Sequence, residues 1–301
     1  MSATTMRLGY WKIVAATVLF SVNPVLFKTI SLGAIEILWT VNLVACLVLV
    51  TANVAQRRTK ELLMLGRSAG TVAGLAIVFT LNNALFISAI KVTTIANAVL
   101  THYLAPVFVV LFGTFLIKEK TNRRAVSALV LSLGGLAVIL WPNEMSFANQ
   151  HFLGLTLGTL SAVFFALEII FKKMLVRHHR ADAVVAVYLM ISVLLLAPAI
   201  SFGRIPSVDS LSLVLLLISG TVVSGLGITL FTSALRVVKA QHAGIISYLE
   251  PLGAIVLGIG VIGESPTVAT LLGGAFILLG TYFIVSAPSD NGALRPEHDC
   301  R

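Results

Sequence analysis

Long apolar stretches alternate with short polar ones along this 301-residue chain. A helix needs about 20 apolar residues to cross the hydrocarbon core of a bilayer, and stretches of that length recur through most of the sequence. The segments between them carry charges, proline or glycine, which favours turns. We predict ten transmembrane helices, at about residues 10 to 28, 33 to 54, 68 to 90, 93 to 117, 124 to 141, 152 to 172, 181 to 201, 208 to 235, 240 to 262 and 266 to 286.

Composition agrees with an all-α integral membrane protein. Apolar residues make up 58% of the chain and charged residues only 11%, and the mean hydropathy is +1.01, so there is too little polar surface to coat a water-soluble protein. The net charge of +9 comes from short clusters between apolar stretches, which predicts no nucleic-acid partner. Cys46 lies within an apolar stretch and Cys300 in the polar tail, so no disulfide is expected.

The chain contains an internal repeat. A shift of 145 residues aligns Leu85 to Pro106 with Leu230 to Pro251 without a gap, with 9 of 22 positions identical. We therefore predict a first five-helix repeat at 1–145, a second at 146–290 and a polar cytoplasmic tail at 291–301. The shift also aligns further residues, namely Gly9 with Gly154, Phe20 with Phe165, Lys28 with Lys173, Glu119 with Glu264 and Gly135 with Gly280.

The repeat and the basic residues together fix an orientation. The first apolar stretch resembles a signal peptide, but its counterpart in the second half indicates that it is retained. With ten helices, 18 lysines and arginines fall on the side of both termini and 3 on the other, which predicts cytoplasmic termini. Because each half has five helices, an odd number, the second half enters the membrane from the opposite face. The repeat is thus predicted to be inverted, an arrangement typical of transporters that work by alternating access.

Two segments carry a resemblance to a known family. Tyr103 to Lys120 (YLAPVFVVLFGTFLIKEK) and Tyr248 to Glu264 (YLEPLGAIVLGIGVIGE) each place proline in mid-helix and glutamate at the helix end. The chain resembles the EamA-type members of the drug/metabolite transporter superfamily. The resemblance implies a ten-helix secondary transporter with a central cavity, often an exporter of amino acids and other metabolites.

Two ionisable residues are predicted near the bilayer centre. Glu250 lies about ten residues into the ninth helix, where an acid costs about 2.5 to 3.5 kcal/mol on insertion scales and must face protein or water. It is either a proton carrier, a counter-ion for a substrate amine, or a structural hydrogen-bonding group. His102 lies at similar depth, either as a packed neutral histidine or paired with Glu250 in proton-linked exchange.

Other polar residues are candidates for the cavity wall. Asn23 and Glu168 occupy equivalent positions in the two halves, although Glu168 also has the spacing for an interfacial pair with Lys172. Pro106 and Pro251 are predicted to kink their helices, either for packing or as hinges. The remaining candidates are uncharged groups suited to small amphipathic molecules, namely Asn82, Asn83, Asn97, Tyr103, Tyr188 and Tyr248.

Several features favour structural roles. Glu119 and Glu264 lie at helix ends, where an acid needs a specific partner. The adjacent His178 and His179 lack the spacing of metal ligands, so no metal site is predicted. Small residues such as Ser132, Gly135 and Gly280 allow close helix approach, either within one chain or in a homodimer.

The predicted function is secondary transport of a small-molecule substrate. No nucleotide-binding motif is present, so transport would be facilitated or driven by a gradient, without a cofactor. A passive channel or facilitator is the main alternative, and a membrane-embedded enzyme is disfavoured because no cluster of catalytic residues lies at one depth. Short loops without an Asn-x-Ser/Thr sequon fit a bacterial inner membrane.

Overall fold

The computed structural model describes residues 3–93, 95–140, 149–201, 208–257 and 268–286. Within these ranges the regular elements are helices. Glu264, Cys300 and the predicted tail at 291–301 lie outside the described residues. The helices are α1 (Ala3–Phe20), α2 (Asn23–Thr29), α3 (Ala34–Ala55), α4 (Thr59–Met64), α5 (Ala69–Val92), α6 (Ile95–His102), α7 (Ala105–Leu116), α8 (Arg123–Leu140), α9 (Asn149–Val176), α10 (Ala181–Leu196), α11 (Ser210–Ile218), a π-helical segment (Ser219–Gly227), α12 (Ile228–Ala234), α13 (Ala240–Ile246), α14 (Leu249–Leu257) and α15 (Val268–Val285).

The helices form a multi-pass membrane protein. Six helical stretches among the described residues are long and apolar enough to cross a bilayer, namely Thr4–Phe27, Ala34–Ala55, Thr59–Val92, Phe152–Val176, Ala181–Ala199 and Ser210–Ala234. Shorter apolar helices cover Ala105–Leu116 and Leu271–Val285. Large apolar side chains such as Phe115, Leu194 and Val268 are exposed on the outside of the bundle. Lipid tails are as apolar as these side chains and can cover them.

Kinks were predicted at Pro106 and Pro251, and at both places the structure has a break between two helices. A turn separates α6 from α7, and Pro106 then lies in the first turn of α7. A second turn separates α13 from α14, and Pro251 is the third residue of α14. Proline is tolerated in a first turn because the backbone N–H that it lacks would have no partner within the helix. A new helix therefore starts at each proline.

Helices α8 and α15 pack closely because small residues face each other. A β-carbon at Gly135 would lie 2.5 Å from the carbonyl oxygen of Gly273, and one at Gly280 would lie 2.8 Å from that of Ala128. These two contacts are equivalent, since the shift of 145 residues relates Gly135 to Gly280 and Ala128 to Gly273. The small residues thus allow close packing within one chain.

A second pair of contacts follows the same rule. A β-carbon at Gly9 would meet the side chain of Val238, and one at Gly154 would meet that of Thr93. Here too the shift relates glycine to glycine and Val238 to Thr93. Equivalent residues in the two halves therefore make equivalent helix contacts.

Charged side chains bind the backbone where the chain turns between α12 and α13. The Lys173 ammonium donates to the carbonyl oxygens of Leu235 (3.0 Å) and Val238 (2.6 Å). The Glu119 carboxylate accepts from the N–H of Ala240 at the start of α13 (3.0 Å) and pairs with Lys173 (3.4 Å). Glu119 thus has the specific partner that its position at a helix end requires. Lys173 is buried in this position.

Basic residues also bind carbonyl groups at two other helix ends. Lys91 donates to the carbonyl oxygen of Ile30 at the end of α2 (2.8 Å). Arg236 donates to that of Val176 at the end of α9 (2.8 Å). Lys91 and Arg236 are equivalent under the shift of 145 residues. Each satisfies a carbonyl that a helix terminus leaves without an intrahelical partner.

The contact between α8 and α15 can be tested with adjacent glycines. We expect Gly135→Ala to lower the midpoint of thermal unfolding of the detergent-purified protein, because the added carbon pushes the two backbones apart. Such overpacking typically costs about 1 to 3 kcal/mol. Gly134→Ala is the matched control, since nothing lies within 4 Å of its β-carbon position. Equal midpoints for the two variants would contradict the proposed contact.

Candidate functional site

A cavity lies among the helices from both halves of the chain. About 80 Å³ of it is open to water-sized molecules. One water needs about 10 to 15 Å³ by this measure, so the cavity has room for several. Its lining consists of Phe20, Asn23, Phe27, Leu38, Val41, Asn42, Phe79, Asn82, Asn83, Phe86, His102, Phe165, Glu168, Lys172, Val223, Ser224, Ile228, Phe231 and Glu250.

Most of the lining residues form pairs related by the internal repeat. The shift of 145 residues maps α2 onto part of α9, and maps α5 onto the π-helical segment and α12. The two halves therefore contribute equivalent walls. The pairs are Phe20 with Phe165, Asn23 with Glu168, Phe27 with Lys172, Phe79 with Ser224, Asn83 with Ile228 and Phe86 with Phe231.

A buried ion pair lies in the wall of the cavity. The Lys172 ammonium and the Glu168 carboxylate are 2.5 Å apart, and each side chain is 4% exposed. The side-chain amide of Asn82 donates to the second carboxylate oxygen of Glu168 (2.7 Å). The spacing of four residues thus produces the expected pair, and its two side chains are buried within the helical bundle. Packing of α9 against α5 and α10 covers this turn of the helix.

Aromatic rings surround the ammonium group. Lys172 Nζ lies 5.7 Å from the ring centroid of Phe79 and 5.3 Å from that of Tyr188. The two rings are in contact with each other, with centroids 4.8 Å apart. Both distances are within the range of cation–π attraction, which strengthens when the cation is removed from water. Tyr188 thus supports Lys172 from behind the cavity wall.

His102 is held by packing and by one hydrogen bond. Its Nδ1 lies 2.8 Å from the hydroxyl oxygen of Ser161. Its ring stacks on Phe86, with centroids 4.1 Å apart, and contacts Phe165 at 5.1 Å. His102 and Glu250 line the same cavity, but the contacts described for His102 do not include Glu250. The imidazole therefore has the environment of a packed histidine.

Glu250 lies in the first turn of α14 and faces the cavity. Its carboxyl contacts the Tyr103 hydroxyl, although without the geometry of a well-formed hydrogen bond. The Tyr248 hydroxyl does not reach it and instead donates to the carbonyl oxygen of Tyr103 (2.9 Å). No ion pair in the described part of the chain includes Glu250. It is thus a carboxyl group on the cavity without a cationic partner among these residues.

The remaining predicted residues divide into two groups. Asn23 and Asn83 line the cavity, where Asn23 accepts from Ser219 (3.3 Å) and Asn83 donates to the carbonyl oxygen of Phe79 (2.9 Å). Asn97 is buried away from the lining and donates to Thr93 (3.2 Å). The three predicted tyrosines are also buried outside the lining, at Tyr103, Tyr188 and Tyr248.

Sequence reasoning missed several lining residues. Lys172, Asn42 and Ser224 were not predicted to face the cavity, and neither was any phenylalanine. The repeat supplies a signal for some of them, because Phe20 and Phe165 are identical residues at equivalent positions. A residue shared by both halves at the same depth is a candidate for a shared wall.

The ion pair gives a stability prediction. Lys172→Met leaves the Glu168 carboxylate buried without its cation, which typically costs about 3 to 5 kcal/mol. We expect a marked fall in the thermal unfolding midpoint for this variant. The double variant Glu168→Gln/Lys172→Met removes both charges and should recover most of the loss. Unchanged stability in the single variant would mean that the pair is not buried in the folded protein.

Comparison with known proteins gives a consistent family match. The sequence matches the EamA-like transporter family over residues 7–141 and again over 152–286. It is 33% identical over 217 residues to an uncharacterized transporter of Archaeoglobus fulgidus, covering 71% of this chain and 76% of that protein. It is 27% identical over 285 residues to the protein RarD of Salmonella typhi, covering 92% and 94% of the two chains.

Two further similarities concern function and fold. An S-adenosylmethionine uptake transporter of Rickettsia prowazekii is 25% identical over 211 residues, covering 70% of this chain and 69% of that protein. A solved crystal structure superposes with a TM-score of 0.78 at 19% identity, covering 94% of this chain and 98% of the other. At that identity the structural similarity shows the fold alone.

Proposed function

We propose, from the premise that this chain belongs to the EamA-like transporter family, that it is a secondary transporter that exports amino acids or related small metabolites across the cell membrane. The protein works by alternating access, opening its central cavity to one side of the membrane and then to the other. The cavity that both halves line with equivalent residues is the observation that carries this proposal. Transporters built from repeats bind substrate at the junction of the repeats.

The topology that goes with this function has ten transmembrane helices in two inverted five-helix repeats, at 1–145 and 146–290. Three observations support it. The family match falls separately on residues 7–141 and 152–286. The glycine contacts occur as equivalent pairs in the two halves. The distribution of 18 basic residues against 3 favours cytoplasmic termini in a bacterial inner membrane.

The chemistry of the cavity favours transport over catalysis. Its walls combine phenylalanine rings with asparagine amides and a few charges, which is typical of sites that bind small amphipathic molecules. The described residues include no group of three or more His, Cys, Asp or Glu that could hold a metal ion. Two of the relatives are also named as transporters.

The proposal also includes a direction of transport, namely export. A related protein is named as an uptake transporter for S-adenosylmethionine, a compound that carries an α-amino acid group. The substrate class in that name agrees with ours, while its direction is the opposite. An orientation-controlled assay is therefore the appropriate test of export.

Counterflow in proteoliposomes tests the transport function. We expect saturable exchange of one or more amino acids from a mixed metabolite panel, with inside-out and right-side-out vesicles distinguishing export from uptake. Runs with and without a proton gradient separate coupled from facilitated transport. Ungated ion leak without saturable exchange would contradict the proposal and favour a passive channel.

Glu250 gives a second test. If its carboxyl exchanges a proton during transport, Glu250→Gln should remove the pH dependence of the transport rate, because the amide does not titrate. Glu61→Gln is the control, since Glu61 lies outside the cavity on α4. Transport by Glu250→Gln with the pH profile of the unmodified protein would contradict a proton-carrying role.

A further inference from the structure

The hydrogen bonds of Lys172 leave part of its binding capacity unused. An ammonium group has three N–H donors. Among the described residues, its one oxygen partner is the Glu168 carboxylate. The faces of Phe79 and Tyr188 attract the charge but provide no lone pair for a hydrogen bond of ordinary strength. Lys172 can therefore donate to a further acceptor in the cavity.

The two glutamates of the cavity, Glu168 and Glu250, differ in their hydrogen-bond and ion-pair partners. Glu168 accepts from Lys172 and from Asn82. Within the described ranges, the Glu250 carboxyl contacts a neutral hydroxyl, that of Tyr103, and no cation. In addition, no donor from the part of the chain that the structure describes reaches the side-chain carbonyl oxygens of Asn42 and Asn82. The cavity lining thus contains an ammonium group with unused N–H donors, at Lys172, and a carboxyl group without a cationic partner among the described residues, at Glu250.

A ligand with charges of both signs complements this arrangement. An anion without an amine would meet Lys172 but also the carboxyl group of Glu250. An amine without an anion would meet Glu250 but leave the free donors of Lys172 unmatched. Removing a polar group from water without giving it a partner is costly, so each of these ligands loses affinity relative to a zwitterion.

The rest of the lining selects the body of the ligand. Six phenylalanines line the cavity, at positions 20, 27, 79, 86, 165 and 231. Their rings favour an apolar or aromatic body, which removes apolar surface from water on binding.

We propose that Lys172 is the specificity-determining residue that binds the carboxylate of a zwitterionic, apolar-bodied substrate, and that Glu250 binds its ammonium group. The substrate carboxylate takes the donors of Lys172 that Glu168 does not use, so the resident ion pair also limits how tightly Lys172 holds the substrate. This inference rests on the proposed transport function, which it deepens by assigning opposite ends of the substrate to two residues.

Binding to the purified protein tests the assignment separately from transport. Isothermal titration would compare L-phenylalanine, L-leucine and L-methionine with the amines that lack their carboxylates, beginning with phenethylamine. We expect at least one zwitterion to bind more tightly than its amine by about tenfold or more, the range for a hydrogen bond to a charged group. If no zwitterion is preferred over its amine, the inference is wrong.

Two variants distinguish a binding role for Lys172 from a purely structural one. Glu168→Gln frees the ammonium from its carboxylate, so zwitterion binding should become tighter. Glu168→Gln/Lys172→Met then removes the cation without leaving an unpaired acid, so the preference for zwitterion over amine should disappear. Lys60→Met changes an exposed lysine outside the cavity and should leave the preference unchanged.

The outcomes separate the two proposals. Parallel weakening of binding in both Glu168→Gln and the double variant would overturn the role of Lys172 and indicate a structural ion pair. Saturable counterflow of another compound, with no zwitterion bound, would leave transport intact and contradict the substrate class. Zwitterion binding that responds to the variants as expected, without any counterflow, would support the site and contradict the transport function.

Discussion

Hydrogen bonding of the backbone within hydrocarbon is the constraint on which the rest of this structure depends. A polar backbone group without a partner costs several kcal/mol in a bilayer, so the chain is helical wherever it can be. Each helix nevertheless has to end where the chain turns into the next one, and its terminal backbone groups then lack intrahelical partners. At the turn between α12 and α13 the Lys173 ammonium donates to two carbonyl oxygens, and the Glu119 carboxylate accepts the first N–H of α13. Charged side chains thus supply the hydrogen bonds that these two helix ends lack within their own helices.

The same reasoning explains how charge enters the cavity wall. Glu168 and Lys172 are one turn apart on α9, so they can pair as soon as that helix forms. The pair is close to neutral as a unit, which lowers the free energy of placing it in the membrane relative to two separate charges. Rings of Phe79 and Tyr188 then cover the ammonium. Glu250 has no such local partner, and this difference gives the two acids of the cavity different chemistry.

The hydrophobic pattern and the repeat predicted the helical membrane fold and six of the nineteen lining residues. The other lining residues were missed for physical reasons. Lys172 was counted among the basic residues on the side of the termini, whereas its place in the cavity wall depends on packing of α9 against α5 and α10. Asn97 and the three tyrosines are polar residues in apolar stretches, as the lining asparagines are. Which face of a helix meets the cavity is decided by tertiary packing, which polarity alone does not reveal. The repeat was the more informative signal, since positions 20 and 165 or 86 and 231 meet in one cavity.

The hydrogen bonds at the α12–α13 turn have a consequence for the order of assembly. Glu119 and Lys173 both precede residues 235–240 in the chain, and synthesis proceeds from the N-terminus. The ribosome therefore synthesises this turn after the two residues whose side chains complete its backbone hydrogen bonds. The last helices of the protein insert against partners that have already been made. A chain synthesised as far as Lys173 already carries both side chains, before any residue of the turn at 235–240 has been added.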